Sequence, residues 1–465
     1  MSEGALVPSQ PLPSPTAYRP GSARKRSRES HHQLSPEPGP SRKAQKLFPI
    51  FDKPGSDSSA FRWLSPPLGP TRSCLHALNR DPKPSPRVAA FDLDGCLIQS
   101  SFPKKGAPPK FDWWRPVVPK KLKQVHEQGY AIVIITNQAL RTQALINDWK
   151  KKIPLIAHAL SDVPFRLFAA TEKDGYRKPI PGMWYELERI FAHHNVNIGL
   201  IASSSPIERL RLTDVSKQTD VSASFFVGDA AGRPNDHSST DRKLALNIGI
   251  PFYTPEEYFL GLPKAPYTLP GFHVSSLPAD LPPIEPAEPP LLPAPSAPEV
   301  VLFVGYPALG KSSFFRTHFA PAGYVHVNQD TLKTRAKCVK ATEQALKDGQ
   351  SVVVDNTNRD KATRQYYVNI AKKYKASVRC IHFAGSLELA WHNNLYRAYN
   401  LPPELAASEP KRDLVPYSAF TGFRADFEEP TVDEGFAEVR KVNFVFEGDE
   451  EARRRWSMWL QIDGK

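Results

Sequence analysis

Short, largely apolar runs recur along the chain, at 88–91, 131–135, 165–170 (broken by Arg166), 224–227 (opened by Ser224), 300–304 and 352–354. A run that does not alternate with polar residues predicts a strand covered on both faces. Helix-competent stretches separate these runs: residues 120–128, the SFFRTHF segment after Lys311, a segment ending at Lys347, and 391–397. Strands alternating with helices predict parallel α/β sheets whose sites lie at the carboxyl ends of the strands. The pattern fails in two places. Residues 1–60 are rich in proline, serine and charge, which predicts a disordered tail, with order beginning between about 60 and 87. From 262 to 298 proline recurs every few residues (PPIEPAEPPLLPAPSAP), which predicts a linker stiffened by polyproline II segments. The expected layout is a tail over 1–60, an α/β domain over 61–262, a linker over 263–298 and a second α/β domain over 299–465.

Charge narrows the partners. The 465 residues carry a formal net charge of +13 and an isoelectric point near 9.4, which favours a polyanion, nucleic acid before membrane surface. No apolar run reaches the length of a membrane span, and the first residues lack the order of a signal peptide, so a soluble intracellular protein is expected. Cys74, Cys96, Cys338 and Cys380 are scattered without metal-ligand spacing, which suits a reducing compartment and argues against zinc. Arg24, Lys25, Arg26 and Arg28, with Arg42, Lys43 and Lys46 beyond, read as a nuclear-localisation signal or as a solvated basic tract. Residues 45–51, QKLFPIF, form an aromatic island suited to partner docking, distantly like the peptide that binds sliding clamps but departing from its pattern.

The run at 300–304 enters Gly305, and Gly310, Lys311, Ser312 and Ser313 complete the spacing G-x-x-x-x-G-K-S. Glycines there let backbone N–H groups approach phosphate oxygens, the lysine reaches the β- and γ-phosphates, and the serine hydroxyl binds Mg²⁺, so an ATP or GTP site is predicted. Downstream, residues 324–330 read as a strand delivering Asp330, either as a general base for an acceptor hydroxyl or as the cap of a helix beginning at Thr331. Asp355 ends the next apolar run like a Walker-B acid, able to join the metal shell or brace the P-loop. Arg397 falls on a helical lid over 391–397, either placed to neutralise transferred phosphate or solvated on the helix surface.

The first domain carries a second set. Asp92 and Asp94, two apart where an extended run meets Gly95, project from one face. Paired carboxylates there can bind Mg²⁺ and serve as nucleophile and acid/base. Thr136, Asn137 and Gln138 end the next strand, where a hydroxyl and an amide can hold phosphate oxygens. Lys178 follows in RKP, and Asp229 in the GDAAGR loop after a third strand.

These four motifs resemble the haloacid dehalogenase superfamily of aspartyl-phosphate phosphatases over residues 88–260. The resemblance implies that Asp92 is the nucleophile and that Asp94 protonates the leaving oxygen and then activates water. Thr136 and Lys178 would hold the phosphoryl group. Asp229 would bind Mg²⁺ with the Asp92 carboxylate and the Asp94 backbone carbonyl, and Asp241 is a further acidic candidate. Cys96 stands where that family usually has threonine.

The order FDLDG, ITNQ, RKP, FVGDAAGR, GKSS, VNQD, VDNTN and WHNN, from about 85 to 447, resembles the polynucleotide kinase 3′-phosphatase family. This resemblance implies removal of a 3′-phosphate from DNA, ATP-dependent phosphorylation of a 5′-hydroxyl, and ends that a ligase can seal. It makes Asp330 the general base and Arg397 the lid arginine. Gln329 replaces the arginine common before that aspartate, and Arg335 is the candidate substitute contact. Ligase or other repair factors, nuclear localisation and a monomer are the corresponding expectations. The forkhead-associated module of animal members does not fit a proline-rich stretch of 60 residues. Trp113 and Trp114, near Lys104, Lys105, Lys110 and Arg115, can stack an unpaired base or pack in the core; with Arg335 and Asp355 they are the candidate substrate contacts. Two readings stay open beside this one: a metabolite kinase/phosphatase on the same folds, and a nucleic-acid-binding scaffold with decayed sites.

Overall fold

The structure, a computed structural model, describes residues 60–100, 108–198, 224–278, 280–292, 297–400 and 413–461. The basic cluster at 24–28, the aromatic island at 45–51 and Lys104 and Lys105 lie outside them.

The first lobe is built on a seven-stranded sheet of order β1-β2-β5-β4-β3-β6-β7. Its strands are β1 (Phe61–Trp63), β2 (Cys74–Asn79), β3 (Val88–Phe91), β4 (Ala131–Asn137), β5 (Phe165–Ala170), β6 (Phe225–Val227) and β7 (Phe252–Tyr253). From β5 to β7 every pairing is parallel; β2 joins β5 antiparallel and β1 joins β2 antiparallel. The apolar runs are uninterrupted because both faces are covered. In β3, Ala89 and Phe91 enter one apolar cluster while Val88 and Ala90 enter the other. Helices Val118–Glu127 and Gln143–Ala159 cover the first face, and Gly182–Ala192 and Thr240–Ile248 the second.

The second lobe repeats the logic with six strands in the order β10-β11-β9-β12-β13-β8. These are β8 (Ile284–Glu285), β9 (Glu299–Val304), β10 (Val325–Val327), β11 (Val352–Asp355), β12 (Ser377–Ala384) and β13 (Glu438–Asn443). All pairings are parallel except β8 with β13. Val300, Leu302 and Val304 of β9 face one cluster, and Val301 and Phe303 the other. Both domains are therefore α/β with mostly parallel sheets. In each sheet the strand carrying the main motif, β3 or β9, lies between strands reached in opposite directions, the position where a crevice opens at the carboxyl ends.

The proline-rich stretch differs from a free spacer. Lys243 Nζ donates to Pro270 O at 2.6 Å on the first lobe. On the second, Asn443 Nδ2 donates to Pro282 O at 2.8 Å and Arg379 Nη1 to Leu291 O at 2.8 Å, beside the two-residue strand β8. Polyproline segments leave backbone carbonyls without internal partners, and neighbouring side chains take them up. Among the described residues no helix is long and apolar enough to cross a membrane.

Candidate active sites

In the first lobe, Asp92 directly follows β3, and its N–H donates to Val227 O at the end of β6 at 2.8 Å. Lys178 is buried to 2% exposure and reaches three acceptors: Asp92 Oδ1 at 2.5 Å, Asp241 Oδ1 at 2.7 Å and Ile135 O at 2.9 Å. Asp241, from the first turn of helix Thr240–Ile248, is as buried as Lys178. Oxygens of Asp92, Asp229 and Asp241 all lie within 4.8 Å of one another. Burial pushes the Asp92 carboxyl up to about 7, Asp241 and Asp94 adding repulsion and Lys178 opposing it. Burial, with Asp92 and Asp241, likewise raises Asp229 to about 8. Burial alone would depress the Lys178 ammonium; Asp241 and Asp92 more than reverse it, so it stays charged. Three converging hard oxygen donors fit Mg²⁺.

Two glycines admit this crowding. A Cβ on Gly95, whose φ is 81°, would lie 2.1 Å from Asp229 Oδ2, and one on Gly228 would lie 2.2 Å from Asp241 Oδ2.

The polar residues ending β4 are committed differently from the expectation. Gln138 Nε2 donates to Asp94 Oδ2 at 2.7 Å and to Thr136 Oγ1 at 3.0 Å. Asn137 clamps the Lys178 peptide, accepting from its N–H at 2.9 Å and donating to its carbonyl at 3.1 Å. Both amides thus orient catalytic candidates. Lys152, unmarked in the sequence, sits 3.6 Å from Asp94 Oδ1. Asp92, Asp94, Thr136, Lys178, Asp229 and Asp241 line one cleft of about 270 Å³. Trp113 and Trp114 do not line it. Both are half-buried against the first apolar cluster, Trp113 edge-on to Phe111 at 5.0 Å and Trp114 beside Phe259 at 5.9 Å.

In the second lobe, β9 turns at Gly305 (φ 149°) and Gly310 (φ 88°) into helix Lys311–Phe314. A Cβ on Gly305 would meet Phe383 O at 2.8 Å, so only glycine fits between the two strands. Lys311 Nζ donates to Gly305 O at 3.0 Å and Tyr306 O at 2.5 Å, and burial pulls it down to about 8, against the attraction of Asp355 and Asp330. Asp355 closes β11 and is 2% exposed; it accepts from Ser312 Oγ at 2.6 Å and pairs with His326 Nε2 at 3.0 Å. Burial opposes its ionisation, but those two hydrogen bonds and the Lys311 charge hold its carboxyl below the ordinary value. Asp355 therefore braces the P-loop serine rather than projecting outward as a substrate contact.

The strand before Asp330 ends at Val327, three residues earlier than its pattern suggests. Asn328 caps the helical turn Gln329–Leu332, accepting from Asp330 N at 2.7 Å, so the cap role weighed for Asp330 belongs to Asn328. The Asp330 carboxylate is exposed and makes no hydrogen bond among the described residues. Arg335 opens helix Arg335–Lys347, its guanidinium 4.9 Å from the Tyr366 ring centre. Arg397 is exposed on helix Leu387–Tyr399, close enough to lower Lys311 further. That helix is no loose flap: His392, Asn393, Asn394 and Leu395 are buried in the lobe. Ser313 Oγ accepts from Arg316 Nη2 at 2.9 Å.

Comparison with known proteins agrees with both lobes. Residues 87–204 and 207–259 match the family described as "Polynucleotide kinase 3 phosphatase", and residues 300–430 match "AAA domain". A "Bifunctional polynucleotide phosphatase/kinase" of Schizosaccharomyces pombe is 37% identical over 385 residues, spanning 82% of this chain and 84% of that protein. This chain belongs to the polynucleotide phosphatase/kinase family. A protein of Acanthamoeba polyphaga mimivirus described in the same terms is 33% identical, covering 78% of this chain and 85% of its own. "Polynucleotide 3'-phosphatase ZDP" of Arabidopsis thaliana is 34% identical over 207 residues, 40% of this chain and 25% of that protein. Within the polynucleotide phosphatase/kinase family, then, the acidic cleft falls in the phosphatase match and the P-loop in the kinase half.

Proposed function

We propose that this bifunctional polynucleotide phosphatase/kinase acts on DNA strand breaks, removing a 3′-phosphate at the first site and phosphorylating a 5′-hydroxyl at the second. The observation that carries the reading is the pairing, in one chain of that family, of a buried Lys178 held between Asp92 and Asp241 with a P-loop whose Ser312 is bonded to Asp355.

At the first site, an oxygen of Asp92 forms a bond to phosphorus while the bond from phosphorus to the 3′ oxygen breaks. Asp94, oriented by Gln138, gives its proton to that leaving oxygen. Water then attacks the aspartyl-phosphate, Asp94 takes the proton, and inorganic phosphate leaves. Lys178 and Thr136 hold the phosphoryl oxygens through both steps. Asp92, Asp229, Asp241 and the Asp94 carbonyl are the residues to hold Mg²⁺, which when bound supplies charge neutralisation. At the second site, Asp330 accepts the proton of the 5′-hydroxyl, whose oxygen attacks the γ-phosphorus of ATP while ADP departs. Lys311 and Arg397 neutralise the transferred group, and Ser312 is the residue toward the Mg²⁺ of ATP.

The products, a 3′-hydroxyl and a 5′-phosphate, are the ends a ligase consumes, so the reaction belongs before sealing in repair. The basic residues at 24–28 support a nuclear address. The deciding experiment incubates a nicked duplex bearing 3′-phosphate and 5′-hydroxyl with the protein, Mg²⁺ and γ-labelled ATP. Loss of the 3′-phosphate together with label at the 5′ end is expected. Neither change, in protein that binds ATP, overturns the assignment in favour of a small metabolite.

A further inference from the structure

Two asparagines outside both catalytic sets make the same three-way connection. Asn247, near the end of helix Thr240–Ile248, donates from Nδ2 to Pro179 O at 2.8 Å and to Trp459 O at 2.7 Å, while its Oδ1 accepts from Trp459 N at 2.7 Å. Pro179 is the residue after Lys178, and Asp241, a carboxylate partner of Lys178, lies in the first turn of the same helix. Asn393, on helix Leu387–Tyr399, donates from Nδ2 to Ala308 O at 3.1 Å, and its Oδ1 accepts from the Trp456 indole Nε1 at 2.8 Å. Ala308 lies inside the P-loop, at a φ of 62°. Residues 456–459 therefore touch one phosphate-handling loop of each lobe, each time through a single buried amide.

This segment is firmly seated. Met458 and Leu460 share a small apolar cluster with Ile180, next to Pro179, and Leu395, two residues before Arg397. His392 Nε2 bonds Trp456 O at 2.7 Å, and Asn400 Nδ2 donates to Arg455 O at 2.5 Å. The His273 ring lies 4.5 Å from that of Trp459. Removing an amide that serves a buried carbonyl leaves that carbonyl unpaired and unsolvated, which is unfavourable. The cheapest relief is a shift of the loop, and a displacement near 1 Å in a catalytic group can cost about a hundredfold in rate.

We infer that segment 456–460 is a brace shared by the two active sites, with Asn247 the positioning residue for Lys178 and Asn393 the positioning residue for the P-loop backbone. The inference rests on the two-activity reading for its readouts. The test uses the full chain carrying Asn247→Leu, Asn393→Leu or Trp456→Phe. The first two keep side-chain size without the amide; the third keeps an aromatic ring and removes the indole N–H together with part of the buried ring volume. Each preparation is measured for both activities, so either lobe is the folding control for the other.

Asn247→Leu is expected to lower kcat for 3′-phosphate removal about tenfold or more, with KM for the oligonucleotide within about twofold and kinase activity unchanged. Asn393→Leu, and Trp456→Phe more weakly, are expected to raise KM for ATP and lower kinase kcat while phosphatase activity stays at the wild-type level. Should Asn393→Leu fail to fold, the milder Trp456→Phe decides its half; should Asn247→Leu fail, Asn247→Ala, which removes the same amide with no added bulk, decides the other. Variants indistinguishable from wild type overturn the brace, as does a parallel fall of both activities with thermal stability. Hydrolysis of p-nitrophenyl phosphate, run beside the oligonucleotide, separates this inference from the substrate reading. Ester hydrolysis that needs Asn247, with no action on the oligonucleotide, overturns the polynucleotide reading and keeps the brace.

Discussion

The two lobes use similar sheets to opposite electrostatic ends. At the mouth of β3, three carboxylates crowd around one buried ammonium, and Asp92 and Asp229 rise to about 7 and 8 because burial and mutual repulsion disfavour their charge. At the mouth of β9, one ammonium and one carboxylate are buried beside a backbone turn; Lys311 falls to about 8 while Asp355 is held below its ordinary value. An excess of buried negative charge calls for a cation, and a turn of inward N–H groups beside a lysine calls for an anion. Fold alone therefore says little about either reaction, and the charge set at the strand ends says most of it.

The largest test of this contrast removes the central group from each lobe. Asp92→Asn is expected to lower 3′-phosphatase kcat by about ten-thousandfold or more, since the reaction proposed above uses that carboxylate as its nucleophile. Kinase activity should survive, measured on the same preparation. Lys311→Ala should lower kinase kcat/KM by about 10²–10³-fold with the phosphatase intact. Loss of both activities from either substitution, in folded protein, would break the two-site comparison.

How far the sequence carries such a contrast depends on the range of the interaction. The strands at 88–91, 131–135 and 300–304 are legible because burial on both faces leaves an unbroken apolar run. The pair Phe61–Trp63 and Cys74–Asn79 is not, because CLHALN mixes polar residues into a strand whose His76 and Asn79 find partners only in the fold: Pro66 O for one, Leu160 O and Val163 O for the other. At the sites, Asp92, Asp229, Lys311 and Asp355 are visible because each ends a strand or a glycine turn, and Lys178 because it falls in the RKP loop after one. Lys152, His326, Asn247 and Asn393 are not, since their meaning lies in contacts up to 212 residues away. Asp330 shows the intermediate case: its loop was legible, but whether it or Asn328 caps the turn is decided by backbone geometry over two residues.

Glycine substitutions sharpen the comparison at smaller scale. In the first lobe a Cβ at Gly95 meets the Asp229 carboxylate, the movable end of a side chain. In the second, a Cβ at Gly305 meets Phe383 O, part of the backbone of β12, which cannot swing aside. Gly95→Ala carries the strain of a left-handed φ of 81°, about 1–2 kcal/mol, but should fold, displace the carboxylate and lower phosphatase kcat/KM by roughly 10–100-fold, with a higher Mg²⁺ requirement. Gly305→Ala should instead lower the stability of the second lobe by about 1–3 kcal/mol, read in denaturant unfolding, and reduce kinase activity with it. Equal loss of stability in both would erase the distinction.

A further test separates the lobes by acid. Burial holds His392 down to about 4, its Nε2 bonded to Trp456 O, with the nearby His273 adding to the depression. An unfolded histidine titrates near 6.5, so the neutral imidazole contributes fully above that pH and its contribution is lost as pH falls from about 6.5 to 4. The difference of about 2.5 units corresponds to about 3 kcal/mol, most of it gone by pH 4.5. Unfolding of the second lobe, followed by the P-loop's nucleotide binding at successive pH values, should show this fall. His392→Gln keeps a donor toward Trp456 without a proton to gain; it should flatten the slope between pH 6.5 and 4 even where it lowers stability at pH 7. An unchanged slope would place the acid sensitivity of the second lobe elsewhere than at the imidazole that touches the shared brace.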